Sequence, residues 1–352
     1  MDQQLSLALQ HQYDRWQKFA PCLGSNVAIL DGEHGSWSAA AGYQEIKTCA
    51  PMPAGASFYI YSITKTFVAA RVLQLDIELD RPISAYLKGL GLEGSRLPEG
   101  VTVRRLLNHT AGVPSYTALP DYLTATRDSP GQPWSRDEVI RRCCGGKLDF
   151  PPGEGWHYSN TGYMLLAQLI ETIAGVTLST AIADGILTPL GLDRTYVAEA
   201  VDQGLVTPGY ARQLDPEERM VDVMPIYHPG WCLTGLMVST VGDVARCFEI
   251  LMSGGLLNPE QLTAMTAPVS TGGGAGWFFQ NPSYGLGLMI DPDWGHGGLF
   301  GHGGDGPGAN TWAMHLPNFH GRKVTLVAFC NTTMGGHPLY LVKDLLRVLA
   351  AV

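Results

Sequence analysis

Three short stretches of this chain carry side chains that could do chemistry together. The first is Tyr59-Ile60-Tyr61-Ser62-Ile63-Thr64-Lys65. It reads as a short extended run that turns into an apolar helix, with Ser62 at the turn. Lys65, three residues on, then shares a helical face with that serine. A serine hydroxyl is a weak nucleophile until a neighbour takes its proton. A partly desolvated lysine can do so. The spacing alone proves little, because 17 serines and 7 lysines in 352 residues yield ~0.3 such pairs by chance.

The second stretch is Tyr158-Ser159-Asn160. A phenol moves a proton readily only if its pKa falls well below about 10. A cation such as Lys65 beside it would lower that value. Asn160 offers both a carbonyl and an NH2 to a substrate amide. Ser159 and Asn160 also directly precede an apolar run from Gly162 to Ala174 that reads as a helix, where such residues serve as N-caps. Taken alone, the pair favours capping. The third stretch is Gly301-His302-Gly303-Gly304-Asp305, ahead of a predicted strand from Ala309 to Leu316. Its glycines allow close approach of a ligand, and a strand edge can direct an N–H at a substrate oxyanion. His302 could add a positive charge or a donor. The plainer alternative is a glycine-rich hairpin with an incidental histidine. His296, His302 and Asp305 lack the spacing of metal ligands, so no metal is expected.

These stretches need a frame. Hydrophobic residues at 45% and charged ones at 16% are ordinary for a folded protein with a substantial core. A net charge of −9 argues against a nucleic-acid partner. No basic segment leads into an apolar one at the start, and no run of about 18 apolar residues suggests a membrane span. The seven cysteines form no C-x-x-C and are expected to be free thiols in a cytoplasmic protein.

Leu5, Leu9, Tyr13, Trp16 and Ala20 recur at helical spacing and predict an amphipathic helix from Gln3 to Ala20. Two strands follow, from Asn26 to Leu30 and from Ser36 to Tyr43, and the helix after Ser62 should end near Asp76. Helix and loop texture fills 81–230. Strand patterns return from Thr234 to Thr240, Tyr284 to Ile290, Ala309 to Leu316 and Val324 to Asn331. A helix marked by Leu341, Leu345 and Leu349 closes the chain. The glycines at 272–276 and 295–308 read as loops. The fold class is therefore α+β: an antiparallel sheet built from both chain ends and flanked by the terminal helices. Residues 1–80 and 231–352 would form one lobe and 81–230 an inserted, mostly helical one. Ser62 falls at the cleft between them.

In this order the three stretches, S-x-x-K, Y-S-N and H-x-G, resemble the serine β-lactamase and DD-peptidase superfamily, on its class C-like branch. That branch includes D-aminopeptidases, D-amino-acid amidases and related esterases. Supporting text is Leu106-Leu107-Asn108-His109-Thr110-Ala111-Gly112-Val113-Pro114, Pro152-Gly153-Glu154, and Gly235-Leu236 with Ser239, Thr240 and Asp243. The resemblance runs from about Ala28 to the C-terminus. It implies a β-lactamase-like fold and an acyl-enzyme mechanism without metal or cofactor. By position, Ser62 would be the nucleophile, Lys65 its activator and Tyr158 the proton shuttle to the leaving group. Asn160, His302, Gly303 and Gly304 would border the substrate. The backbone N–H groups of Ser62 and Asp305 would form the oxyanion hole, and His109 and Glu154 would be structural.

His302-Gly303-Gly304 departs from the K-T-G of many relatives, lacking the lysine and the hydroxyl that hold a substrate carboxylate. The substrates implied are therefore small amides, peptides of D-amino acids or esters, ahead of penicillins. A β-lactamase or penicillin-binding DD-carboxypeptidase is the first alternative. A non-catalytic scaffold or β-lactam sensor on the same fold is the second.

Overall fold

A computed structural model describes residues 1–19, 23–86, 97–202 and 204–351. Its spine is a nine-stranded antiparallel sheet. The strands are β1 (Gly24–Asp31), β2 (Gly35–Glu45), β3 (Ala50–Pro51), β4 (Val269–Ser270), β5 (Ser283–Tyr284), β6 (Met289–Asp291), β7 (Leu299–Gly306), β8 (Ala309–Phe319) and β9 (Arg322–Cys330). Across the sheet they run β3-β2-β1-β9-β8-β7-β6-β5-β4, so the two chain ends meet at the β1–β9 pair.

The central strands are apolar on both faces, and their two-residue period sorts the side chains. Val27 and Ile29 of β1 join Trp312, Met314, Leu326 and Ala328 under the terminal helices. Those helices are α1 (Gln3–Phe19), which buries Leu5, Leu9, Tyr13 and Trp16, and a closing helix (Pro338–Leu349), which buries Leu341, Leu345 and Leu349. Ala20, placed in the first helix by its spacing, and Cys22 lie outside the described residues.

Ala28, Ala313, Val327 and Phe329 project to the opposite face. There they meet α2 (Thr64–Gln74), α3 (Asn160–Ala174), which is buried all round from Thr161 to Ile170, and α4 (Val241–Met252) in one continuous core. The helices Val103–Leu107 and Arg136–Cys143 from the middle of the chain belong to this core too. Among the described residues no single helix is long and apolar enough to cross a membrane.

The α+β class expected from the sequence is the one observed, and three local readings need correction. The strand expected from Tyr284 to Ile290 is a hairpin of β5 and β6, with Tyr284 opposite Met289. Gly287 turns it at φ +75°, with Lys65 O 2.7 Å from where a Cβ would stand, and its carbonyl accepts from Thr66 Oγ1 at 2.7 Å. The strand expected from Thr234 to Thr240 shortens to Met237–Ser239, which pairs with Phe58–Tyr59 just ahead of Ser62. The glycines of 299–306, read as loop, form strand β7 in full register with β8. They are glycines because of packing rather than flexibility. A Cβ on Gly301 would lie 2.3 Å from Ala313 O, and one on Gly304 2.2 Å from Ile60 O.

Candidate active site

The chain reaches Ser62 under tight constraint. Phe58 and Tyr59 are fixed by backbone pairing, and Tyr61 then adopts φ +43°, an uncommon value for a residue with a Cβ. Tyr61–Ile63 makes one 3₁₀ turn that runs directly into α2. Strand β7 locks this turn from the side. Thr311 Oγ1 bridges Ile60 O at 3.2 Å and Gly304 O at 2.8 Å. The Tyr61 hydroxyl donates to Pro307 O, and its ring occupies the space that a Cβ on Gly306 would need. The backbone of Asp305 is thereby held alongside Ser62, where both oxyanion donors are expected.

Lys65 is 1% exposed, and its Nζ donates to Ser62 Oγ at 3.1 Å. Burial pulls its pKa from 10.5 down to about 7, against a small opposing pull from Cys232. The ammonium position lies 4.9 Å above the Tyr158 ring and 5.5 Å from that of Tyr163. A substantial free-amine fraction at neutral pH is what a general base requires.

Tyr158 sits beside this pair, but not in the state the sequence suggested. Burial raises its pKa above the ordinary 10, and the Asp305 charge adds to that while Ser62 opposes it. Its hydroxyl is buried and makes no hydrogen bond among the described residues. Lys65 meets the ring face rather than the oxygen, so the expected phenolate gives way to a neutral phenol next to Ser62.

His109 explains how the Tyr158 segment is held. Its Nδ1 accepts the Ser159 N–H at 3.1 Å, its carbonyl accepts the His157 N–H at 3.1 Å, and its ring lies 4.3 Å from that of Tyr158. Burial and the charge of Lys65 keep the imidazole well below its ordinary pKa, hence neutral. Ser159 and Asn160, ambiguous in sequence, divide the two roles between them. Ser159 caps α3 through Gly162 N at 3.1 Å. Asn160 faces the cleft, where its NH2 donates to Thr117 Oγ1 at 2.9 Å and its Oδ1 meets no donor among the described residues.

The third stretch is corrected most. His302 is fully buried, with its pKa pressed down to about 3 by burial and by Lys65. Nδ1 faces Gly303 O at 2.6 Å and so carries the proton, while Nε2 accepts from the Tyr284 hydroxyl at 2.8 Å. It is a neutral core residue behind Tyr158, not a cation bordering the substrate. Gly303 and Gly304 are likewise enclosed by Trp312 and by the Ser62 turn. The strand reaches the cleft one step later, at Asp305, Gly306 and Pro307.

The cleft itself is a cavity of about 500 Å³ that holds Ser62, Lys65 and Asn160 in its wall. A family model described as Beta-lactamase matches residues 17–350. The chain belongs to the beta-lactamase family. A penicillin-binding protein of Bacillus subtilis (strain 168) is 27% identical over 305 residues, covering 81% of this chain and 64% of that protein. The chain thus spans less than two thirds of that relative. Esterase EstB of Burkholderia gladioli is 26% identical over 297 residues, covering 75% of this chain and 74% of EstB. The structure of a D-stereospecific amidohydrolase from Streptomyces sp. superposes with TM-score 0.81 at 27% identity, covering 96% of this chain and 97% of that one.

Several residues of this beta-lactamase-family cleft escaped sequence reading. Tyr116, Tyr122 and Tyr227 line it, as do Cys232, Arg212 and Glu218. They come from 115–134 and 207–232, which show no apolar period in sequence and fold into short helical turns, one short helix and a two-residue strand pair. Only their density of aromatic and charged residues hinted at a wall.

Proposed function

We propose that the chain is a serine hydrolase that works through an acyl-enzyme on small amides and peptides of D-amino acids, and on esters. The observation that carries this is the 3.1 Å contact between Lys65 Nζ and Ser62 Oγ inside the cleft, with the Lys65 pKa near neutrality. The amidohydrolase and esterase relatives support the choice of substrates.

In this reading the Lys65 amine takes the Ser62 proton as Oγ attacks the carbonyl carbon. Backbone N–H groups of Ser62 and Asp305 hold the oxyanion, assisted by the positive end of α2. As the C–N or C–O bond breaks, the neutral Tyr158 hydroxyl gives its proton to the leaving atom and is reprotonated from the Lys65 ammonium. Water then attacks the Ser62 ester with the Lys65 amine as base. Asn160 Oδ1 is the acceptor for the substrate amide N–H. His302 and Asp305 provide no fixed cation for the carboxylate of a penicillin, so β-lactams should be poor substrates.

Intact-mass measurement after mixing with p-nitrophenyl acetate, D-phenylalanine amide and benzylpenicillin tests the reading. Transient adducts from the first two, absent in Ser62→Ala, are expected. A lasting penicilloyl adduct points to a sensor, and the absence of any adduct to a scaffold; either result overturns the proposal.

A further inference from the structure

Among the described residues, six charged ones line the cleft: Lys65, Arg127, Arg212, Asp215, Glu218 and Asp305. Four are engaged. Lys65 holds Ser62, and Arg127 bonds Asp128 at 3.1 Å. Asp215 takes Arg219 at 2.8 Å and the Glu217 N–H at 2.8 Å. Asp305 takes His337 Nε2 at 3.2 Å and, with its amide turned to donate, Asn310 at 3.2 Å. The Arg212 and Glu218 side chains make no ion pair or hydrogen bond among the described residues, either with each other or with anything else.

Their loop is not loose. The pair Tyr210–Ala211 and Val221–Asp222 closes its base. Tyr210 N donates to Asn331 O at 2.9 Å, and Gly209 N donates to Asp222 Oδ1 at 3.2 Å, tying that base to the end of β9. Within the loop, Arg219 bridges Asp215 and Glu217, the latter at 3.0 Å. Glu218 itself is held at φ +53°, a conformation retained only where surroundings enforce it. The loop, closed at its base, therefore pairs three of its charges internally and leaves one cation and one anion, both exposed and unpaired among the described residues, in the lining of the nucleophile's cavity.

We infer that Arg212 and Glu218 select short peptides with both termini free, Arg212 taking the carboxylate and Glu218 the ammonium. This rests on the serine-hydrolase reading above. A guanidinium presents paired donors that match a carboxylate, and a carboxylate accepts the donors of an ammonium. Together the two add no net charge to the cavity. A zwitterionic substrate gains from both, and a peptide blocked at one end gains from one only. It also moves carboxylate recognition from the β7 strand, where the sequence suggested its loss, to the 210–222 loop.

The test compares D-phenylalanyl-glycine, its C-terminal amide and its N-acetyl derivative, each rate normalised to p-nitrophenyl acetate for the same variant. The free dipeptide should have a kcat/KM about tenfold above either blocked form. Arg212→Gln should erase its advantage over the amide but keep that over the N-acetyl form, and Glu218→Gln should do the reverse. Calorimetric binding to Ser62→Ala should give the same ranking without turnover. Equal binding and turnover of the three peptides, or ratios unmoved by either substitution, would overturn the inference. If the ranking holds in binding to Ser62→Ala while p-nitrophenyl acetate leaves no adduct on Ser62, the hydrolase reading fails and the binding site stands.

Discussion

Lys65 Nζ and Ser62 Oγ stand 3.1 Å apart at the foot of the cleft, and the lysine is 1% exposed with no carboxylate paired to it among the described residues. A buried ammonium without a counter-ion loses more hydration than one hydroxyl and two ring faces replace, so the proton is released near neutrality.

A pH dependence follows. The rate of Ser62 acylation should rise with pH through about 7, as Lys65 becomes a free amine. Stopped-flow acylation with an activated ester would give this limb. Lys65→Arg, which keeps a permanent cation, should lower the rate at every pH by ~100-fold or more.

The same group governs stability in a defined window. The folded-state pKa is about 7 and the ordinary value 10.5. Between them the unfolded chain binds a proton that the folded chain does not. Stability should therefore rise with pH across that window, and be lower at pH 7 than above 10.5 on this account. Lys65→Met should flatten the slope and raise the melting temperature at pH 7, read from thermal melts at several pH values.

Tyr158 is neutral and beside Ser62, so its removal should matter most where the leaving atom needs a proton. Tyr158→Phe should slow amide hydrolysis by ~100- to 10,000-fold. The loss with a p-nitrophenyl ester, whose leaving group departs as an anion, should be much smaller. Equal losses on the two substrates would remove the proton-donor role.

Gly304 tests the link between β7 and the nucleophile's turn. Gly304→Ala would place a Cβ 2.2 Å from Ile60 O, backbone against backbone. The cost should be about 1–3 kcal/mol in denaturant unfolding. Acylation should slow as well, because the strain falls two residues before Ser62. Gly274→Ala, where no atom lies within 4 Å of the added Cβ, is the control.

His109 anchors Tyr158 without touching the cavity. His109→Ala would remove the acceptor of the Ser159 N–H and a ring packed on Tyr158, Tyr163 and Tyr284. A loss of about 3–5 kcal/mol is expected from the combined cavity and orphaned donor. His109→Asn, which restores an acceptor, should recover part of it in the same unfolding assay.

Much of this was legible from local patterns. Leu5, Leu9, Tyr13 and Trp16 gave α1, because burial on one helical face imposes its own period. The strand pattern of 324–331 gave β9 for the same reason. Where the pattern misled, the cause was a contact distant in sequence. The glycines of 299–306 look like loop until Ile60 and Tyr61 press against them. Only Gly285 and Gly287 mark the break in the strand read over 284–290, and the turn at Gly287 is set by α2 packing on it.

The sequence by itself determined the fold class and nominated Ser62, Lys65, Tyr158 and Asn160, since residue type and order record which chemistry is affordable. Tertiary structure alone decided the charge states. Whether Lys65 is an amine, Tyr158 a phenol and His302 a neutral core ring depends on how much water is excluded around each. Exclusion is a property of surfaces brought together from 58–65, 109–163, 284–306 and 232, which no single stretch of sequence contains. The unpaired Arg212 and Glu218 are of the same kind: their freedom is known only once every other charge lining the cleft has found its partner.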